Sequence, residues 1–283
     1  MDELIVTPLG TVSPYPKDNK NCPGFLIEYN GYKVLLDCGE GVSNILNFPN
    51  DLNNLIIIVS HLHKDHYSGL SGIAYASYVY KNLGYLENKI KIYIPDGDLS
   101  KDKSSYYYDD GWGNQIRVEK KLQDFEYLMD YGDENYLDFK TYNSNNNFSI
   151  LHGNMKINFC KNPHNLNTYS TKIQAGDFTI VYSADTGYKN NTLTKFSKDC
   201  DLLICESTFI KGQTRTNDNH LYAHEAGKIA KSANVKKLLL THFWPEINKE
   251  NYVNEAKEFF ENTEAAIEGK KLILRRNYEN NNK

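Results

Sequence analysis

Runs of branched and aromatic residues recur along the chain and are separated by Gly, Asn and Pro. Short apolar runs bounded by turn residues are typical of β-strands. Asn30-Gly31 and Ala175-Gly176-Asp177 each stand between two adjacent runs, so we expect a hairpin turn at both. The predicted strands are residues 4–9, 25–29, 32–37, 55–59, 90–94, 155–159, 171–175, 178–183, 202–205, 237–241 and 271–274.

Three segments show apolar residues at helical spacing instead. Ala226, Ile229 and Ala233 illustrate it, because they fall on one face of a helix. The predicted helices are residues 69–83, 223–233 and 251–261. Many strands with few helices, in mixed order, predict a layered α+β or α/β fold.

Two regions differ in composition from the rest. Residues 96–147 are rich in Tyr, Asp, Lys and Asn, and we interpret them as an insertion with a structure of its own, including one helix near residues 118–129. The Asn-rich end, residues 278–283, predicts a disordered tail. The sequence therefore predicts a single domain over residues 1–277 with one insertion.

Composition narrows the class of protein. No run in the 283 residues approaches the roughly 18–20 consecutive apolar residues of a membrane span. The formal net charge of −4 argues against a protein that holds nucleic acid by bulk positive charge. The five cysteines form no CxxC pair, and the first residues lack the pattern of a signal peptide. We therefore expect reduced, mostly buried thiols and a cytoplasmic protein.

The most informative segment is the loop at residues 61–66. A predicted buried strand ends just before it, and His61, His63, Asp65 and His66 follow in quick succession. Imidazole nitrogens and carboxylate oxygens are good ligands for a divalent metal such as zinc. A loop this short cannot wrap one tetrahedral ion with all four groups. It can serve two ions if alternate side chains point to opposite sides.

The loop at 61–66 matches the HxHxDH signature of the metallo-β-lactamase superfamily, which this chain resembles from residue 4 to about residue 274. Other positions resemble the later motifs in order: His164 after Asn162-Pro163, Asp185 in Ser183-Ala184-Asp185-Thr186-Gly187, and His242 after a strand. Asp37 matches the family's structural aspartate. The resemblance implies the four-layer αββα sandwich of that superfamily, an α+β fold.

The resemblance also implies two metal sites that share a water or hydroxide. Transferred residue by residue, the first site is His61, His63 and His164, the second is Asp65, His66 and His242, and Asp185 bridges them. Asp37 is implied to accept a hydrogen bond from a liganding imidazole or a loop amide. Two divalent ions are thus the expected cofactor, with zinc favoured over manganese or iron.

Two further segments resemble the ribonuclease Z branch of the superfamily. They are Asp37-Cys38-Gly39-Glu40-Gly41, and Cys205-Glu206-Ser207-Thr208-Phe209 with the later stretch 219–226. The resemblance implies that His220 contacts the scissile phosphate and protonates the leaving oxygen, with Glu206 orienting it. Asp65 is implied to handle a proton besides binding metal. His152 matches no motif, and His224 is expected to lie outside the catalytic set.

Three observations favour a small or cyclic phosphodiester over tRNA. The ribonuclease Z arm that grips tRNA lies between the single-His motif and the bridging Asp, and residues 165–184 are too few for it. The chain is acidic and poor in arginine. Tyr222 replaces the small hydroxyl residue expected near His220. Short phosphodiesterases of the superfamily lack the arm, and this chain resembles them better.

Alternatives remain open at this level. An RNA-processing endonuclease, a thioester, lactone or lactam hydrolase, and a non-catalytic sensor all fit the fold. A homodimer is expected by analogy with the ribonuclease Z branch, and no membrane partner is expected. In the insertion, Tyr106, Tyr107, Tyr108 and Trp112 either stack on a base or sugar or form the aromatic core of a structural flap.

Overall fold

The computed structural model describes residues 2–95, 104–109, 115–120, 136–143, 148–189, 191–215 and 218–276. The strands are β1 Asp2–Gly10, β2 Gly24–Tyr29, β3 Tyr32–Leu36, β4 Leu55–Ile58, β5 Ile90–Pro95, β6 Ser104–Asp109, β7 Gln115–Lys120, β8 Leu137–Tyr142, β9 Ile150–His152, β10 Met155–Lys161, β11 Tyr169–Ala175, β12 Phe178–Tyr182, β13 Leu202–Glu206, β14 Leu238–Thr241, β15 Thr263–Ala265 and β16 Leu272–Arg276. The helices are α1 Lys64–Tyr67, α2 Leu70–Asn82, α3 Thr192–Phe196, α4 Ala223–Ser232 and α5 Lys249–Lys257, with a 3₁₀ turn at Val42–Asn44.

Two mixed sheets of seven strands each form the body of the fold. The first has the order β16-β1-β2-β3-β4-β5-β8, and the second has β15-β14-β13-β12-β11-β10-β9. In each sheet an antiparallel part joins a parallel part, β3-β4-β5-β8 in the first and β12-β13-β14-β15 in the second. Among the described strands, β6 and β7 form a separate antiparallel pair.

The central strands β4, β13 and β14 are buried on both faces, which explains their nearly continuous apolar sequences. In β12, Ile180 and Tyr182 lie in the core between the sheets, whereas Val181 packs in the core that includes α4 and α5. In β4, Ile56 and Ile58 take the inner side, and Ile57 packs towards α2. The layers are therefore helix, sheet, sheet and helix, and the predicted αββα sandwich is confirmed.

Helix α4 packs closely on α5 because Gly227 carries no side chain. A Cβ at Gly227 would lie 2.5 Å from the carbonyl oxygen of Ala256. The face of α4 that includes Ala226, Ile229 and Ala230 is buried, as its spacing predicted. The packing holds α4 against α5, and α4 begins at Ala223, three residues after His220.

Both predicted hairpin turns are confirmed, between β2 and β3 and between β11 and β12. Strands β9 and β15 and helices α1 and α3 were not predicted, because each is too short to show a period. The predicted helix at 118–129 is wrong at its start: residues 118–120 belong to β7, where Ile116 and Val118 alternate with polar residues in the strand pattern. The remainder of that helix lies outside the described residues.

Part of the predicted insertion belongs to the first sheet. Residues 137–142 form β8, which pairs with β5 in parallel register. The side chains of Tyr106, Tyr107, Tyr108 and Trp112 lie outside the described part of the chain, as does the tail at 278–283. The division into one domain with an insertion stays a prediction.

The described cysteines carry no disulfide, and four of the five are buried. Among the described residues, no helix combines the length and the apolar character needed to cross a membrane.

Candidate active site

Polar residues gather where the parallel strands of both sheets end. Asp37 follows β3, His61 follows β4, Asp185 follows β12, and His242 follows β14, while Glu206 is the last residue of β13. The carboxyl ends of parallel strands share one edge of a sheet, so these residues meet in one cleft. The structure thus brings together residues that are far apart in sequence.

The first cluster consists of His61, His63, His164 and Asp185. The Nε2 atom of His61 lies 2.9 Å from Nδ1 of His63, and Nε2 of His164 lies 3.4 Å from the same Nδ1. The Oδ2 atom of Asp185 is 3.4 Å from His61 Nε2 and 4.0 Å from His164 Nε2. Four potential ligand atoms converge within 4.8 Å of one another, which suits a single metal ion.

The second cluster consists of Asp65, His66 and His242, on the other side of Asp185. The Oδ2 atom of Asp65 lies 3.7 Å from His66 Nε2 and 3.8 Å from His242 Nε2. The Oδ1 atom of Asp185 is 3.3 Å from His66 Nε2 and 3.0 Å from His242 Nε2. Asp185 therefore presents one oxygen to each cluster, as a bridging carboxylate requires.

Three buried atoms at the centre of this arrangement make no hydrogen bond: Nε2 of His66, Nε2 of His242 and Oδ1 of Asp185. An orphaned buried polar atom is costly, and native structures rarely keep several in one place without a ligand. All three belong to residue types that bind divalent ions. The donor set and its orphans fit the divalent metals that the fold family implies.

Hydrogen bonds behind the clusters hold the imidazole rings. Asp37 is fully buried, and its Oδ2 accepts from His66 Nδ1 at 2.7 Å and from the Tyr182 hydroxyl at 2.7 Å. Its carboxylate also accepts from the Ser60 amide, at 2.6 Å, and from the Ser60 hydroxyl. The contact of Asp37 with an imidazole is the one that the resemblance implied.

The ring of His242 is held in the same way. Its Nδ1 lies 2.8 Å from Oγ1 of Thr208, which in turn donates to Glu206 Oε2 at 2.8 Å. Because the Thr208 hydroxyl hydrogen goes to Glu206, His242 Nδ1 must carry the proton and Nε2 is left to face Asp65 and Asp185. Likewise, Nδ1 of His164 contacts the carbonyl oxygen of Asn219 at 3.1 Å.

Backbone strain accompanies these positions. Asp37, Ala184 and His242 have positive φ angles of 59°, 49° and 63°, in the left-handed region that residues other than glycine seldom adopt. Each such residue costs on the order of 1–3 kcal/mol, and strained backbone of this kind clusters at functional sites. The three strained residues lie just after β3, β12 and β14, where the chain enters the cleft.

Glu206 links the two His/Asp clusters to His220. Its carboxylate is almost fully buried and accepts hydrogen bonds from the Thr186 amide, the Thr208 amide and hydroxyl, and the Leu221 amide. Its Oε1 lies 3.1 Å from Nδ1 of His220. His220 is thereby fixed beside the bridging Asp185, with 3.9 Å between Nδ1 and Oδ2.

The pKa values of the first-cluster histidines are shifted in the opposite direction from the pKa of His220. Burial lowers the pKa values of His61 and His164 and brings that of His63 to about 4, so these rings stay neutral and able to bind metal. Burial also opposes the charged form of His220, but the Glu206 and Asp185 carboxylates outweigh it and raise its pKa to about 9. In the metal-free site, the two carboxylates therefore favour the charged form of the His220 ring.

His224 and His152 have other partners. Nδ1 of His224 lies 2.5 Å from Glu255, which anchors the start of α4 to α5. His152 lies 2.8 Å from the Asn54 carbonyl oxygen through Nε2 and packs edge-on against Tyr32. Neither belongs to the metal-ligand clusters found among the described residues.

Several residues of the site were missed from the sequence. Ser60 and Tyr182 contact Asp37, and Ser13 donates to Asp65 Oδ2 at 2.7 Å. Thr208 stands in the segment that resembles ribonuclease Z, so its motif was a usable signal. Tyr222 is explained by its hydroxyl, which donates to the Gln213 carbonyl oxygen at 2.8 Å and thereby holds the loop before His220.

The four-layer fold and the His/Asp clusters define the class: this is a metal-dependent hydrolase of the metallo-β-lactamase fold. The crystal structure of YhfI from Bacillus subtilis, a metallo-β-lactamase fold protein, superposes with a TM-score of 0.79 and 28% identity, covering 96% of this chain and all of YhfI. The family model described as the anti-Pycsar protein Apyc1 matches residues 4–265. The chain belongs to the Apyc1 family.

The curated relatives are similar over nearly their whole length. The probable metallo-hydrolase YhfI of Bacillus subtilis is 29% identical over 256 residues, which is 90% of this chain and 93% of YhfI. Ribonuclease Z of Clostridium acetobutylicum is 28% identical over 312 residues, covering 96% of this chain and 98% of the ribonuclease. The chain is therefore related both to metallo-hydrolases and to ribonuclease Z.

Proposed function

We propose that the protein is a phosphodiesterase that hydrolyses a small or cyclic phosphodiester with two bound divalent ions, zinc being the expected metal. The single observation that carries the proposal is the placement of Asp185, whose two oxygens face two separate ligand clusters. Two ions bound there would activate water near neutral pH and offset the charge of the reacting phosphate. The rest of the chemistry falls to side chains of this chain.

His220 is the proposed proton donor to the leaving oxygen. An alkoxide is a poor leaving group, so a positioned acid accelerates its departure, typically by about 10²–10⁴-fold. Glu206 supports this role because its hydrogen bond orients the ring and its charge favours the protonated ring. Without the Glu206 carboxylate, a neutral His220 beside two metal ions would offer them a further ligand and would have no proton to give to the leaving oxygen.

The short connection between His164 and Asp185 supports a small substrate. The chain from His164 to Asp185 is taken up by β11, β12 and short turns. The alignment with the Clostridium ribonuclease Z runs over 312 positions, whereas this chain has 283 residues. The Clostridium enzyme therefore contains insertions that this chain lacks. Together with the net charge of −4, this favours a compact anion over tRNA.

Ribonuclease Z-like RNA processing is the second candidate, because relatives at 27–28% identity bear that name. The predicted homodimer also belongs to the proposal. Its support is the outer face of α2 and its C-terminal end, where Tyr75, Tyr78, Val79 and Leu83 are each about half exposed or more. An apolar face of this kind is what a second copy of the chain would cover.

Replacing His220 by alanine distinguishes phosphodiesterase chemistry from hydrolysis of a thioester or lactone. We expect kcat for a cyclic nucleotide, whose leaving group is an alkoxide, to fall about 10²–10⁴-fold, because the leaving oxygen loses its proton donor. Thioester or lactone hydrolysis needs the metals but not this acid, so it would be little affected. Steady-state kinetics at matched metal content make the comparison, and His152→Ala, at the far end of the fold, is the control.

An unchanged phosphodiesterase kcat in His220→Ala, with both metal sites filled, would remove the assigned proton donor from the proposal. Equal losses in all three activities would show that the residue supports the site rather than the leaving group.

A further inference from the structure

We propose that Ser13 is a positioning residue of the second ligand cluster, holding Asp65 in the orientation that binds the second metal ion. This inference rests on the proposed two-metal site. It assigns a role to a residue that lies outside every motif in the chain.

The side chain of Ser13 makes one direct contact with the cluster. Its Oγ donates to Oδ2 of Asp65 at 2.7 Å, the same oxygen that lies 3.7 Å from His66 Nε2 and 3.8 Å from His242 Nε2. Ser13 is only 3% exposed, so water does not compete for the bond. The hydroxyl therefore acts on the carboxylate oxygen that faces both imidazoles.

The backbone of the same segment is fixed to the other side of the cluster. The Ser13 amide donates to the Phe243 carbonyl oxygen at 2.9 Å, and the Phe243 amide donates to the Thr11 carbonyl oxygen at 3.0 Å. Val12 and Phe243 form a β-bridge between these bonds. Because Phe243 directly follows His242, the position of Ser13 is tied to that of a second ligand.

These two contacts of Ser13 are important because the residues of the second cluster come from both sheets. Asp65 and His66 follow β4 of the first sheet, whereas His242 follows β14 of the second. Their mutual distance depends on how the edges of the two sheets are held. Ser13 contacts the first group through its side chain and the second through its backbone, so one residue connects the two halves.

The segment is itself anchored, so Ser13 does not simply follow Asp65. Thr11 is fully buried, and its hydroxyl donates to Glu268 at 3.1 Å and accepts from Lys249 Nζ at 2.8 Å. Further along, the Tyr15 hydroxyl donates to Glu246 at 2.6 Å. With buried anchors before it and a surface contact after it, the Ser13 hydroxyl has a defined position from which to orient the carboxylate.

Hydrogen bonds to a metal-binding carboxylate fix its rotamer, and losing such a partner typically weakens metal affinity by about 10- to 100-fold. We therefore expect Ser13→Ala to raise one of the two Zn²⁺ dissociation constants by about that factor and leave the other within about twofold. Competition of the metal-free, full-length protein against a chromophoric chelator resolves the two constants. Ser77→Ala is the matched control, a buried serine on α2 whose hydroxyl bonds to the Ala74 carbonyl oxygen.

A double substitution tests whether Ser13 acts through Asp65. In the Asp65→Ala background, Ser13→Ala should cause no further loss of affinity, because the carboxylate it orients is gone. If Ser13→Ala fails to fold, Ser13→Thr and Ser13→Val give the same comparison, since these two side chains have similar shapes and differ in the hydroxyl.

Unchanged Zn²⁺ dissociation constants in Ser13→Ala would overturn the inference, and so would equal dissociation constants in the Thr and Val variants. Neither result would contradict the two-metal site itself. A parallel weakening of both sites would also overturn the inference, because it would indicate a general loss of structure. Wild-type protein that binds fewer than two ions would instead remove the proposed function on which the inference rests.

Discussion

Replacement of Asp185 by asparagine is expected to abolish most of the activity, lowering kcat by about 10³-fold or more, because both proposed metal sites lose a ligand at once. An asparagine has one oxygen and one NH₂ group, so it can face only one cluster with an acceptor. The NH₂ group would then face either the first-cluster histidines or Nε2 of His66 and His242. Metal analysis and kinetics on the same preparation measure both effects.

Asp177→Asn is a suitable control, because Asp177 lies in the exposed turn before β12, at the other end of the strand that leads to Asp185. Two tightly bound ions and near-normal kcat in Asp185→Asn would contradict the bridging role. Loss of one ion alone would assign Asp185 to a single cluster.

The second large effect is expected for Asp65→Ala, which should cost more activity than His220→Ala. Asp65 is proposed both to bind the second ion and to handle a proton, whereas His220 supplies a proton only, worth about 10²–10⁴-fold. Removing the carboxylate also leaves the Ser13 hydroxyl buried without its acceptor. The comparison needs kcat for one phosphodiester and the metal content of both variants.

Equal losses in the two variants at full metal content would count against the double role of Asp65. If added metal restored Asp65→Ala to the level of His220→Ala, its function would be reduced to metal binding.

The layered fold was predictable because its central strands, β4, β13 and β14, are buried on both faces and therefore have continuous apolar sequences. The sequence did not predict the strands whose stability depends on pairing with neighbouring strands. Strand β8 shows little alternation of apolar and polar residues, and only Leu137 and Tyr142 at its ends are buried. It is stabilised as a strand by pairing with β5. The three residues of β9 and of β15 are likewise stabilised by their neighbours rather than by their own composition.

The proposed ligands were predictable for a different reason. Metal binding needs particular residue types close together, so the loop at 61–66 leaves a sequence signature of its own. The later ligands His164, Asp185 and His242 were implied by the resemblance to the metallo-β-lactamase superfamily. The supporting contacts leave no such signature. Ser13 meets Asp65 across 52 positions and Tyr182 meets Asp37 across 145, and only the packed sheets bring such pairs together.

The most direct test of the account is turnover of a defined panel of phosphodiesters by protein of measured metal content. The panel should contain an aryl phosphodiester, cyclic nucleotides and a precursor tRNA. We expect two divalent ions per chain, hydrolysis of a small or cyclic diester, and loss of that activity on chelation with recovery on metal addition. With both sites filled, absence of turnover above the metal-free protein, or cleavage of the precursor tRNA alone, would contradict this expectation.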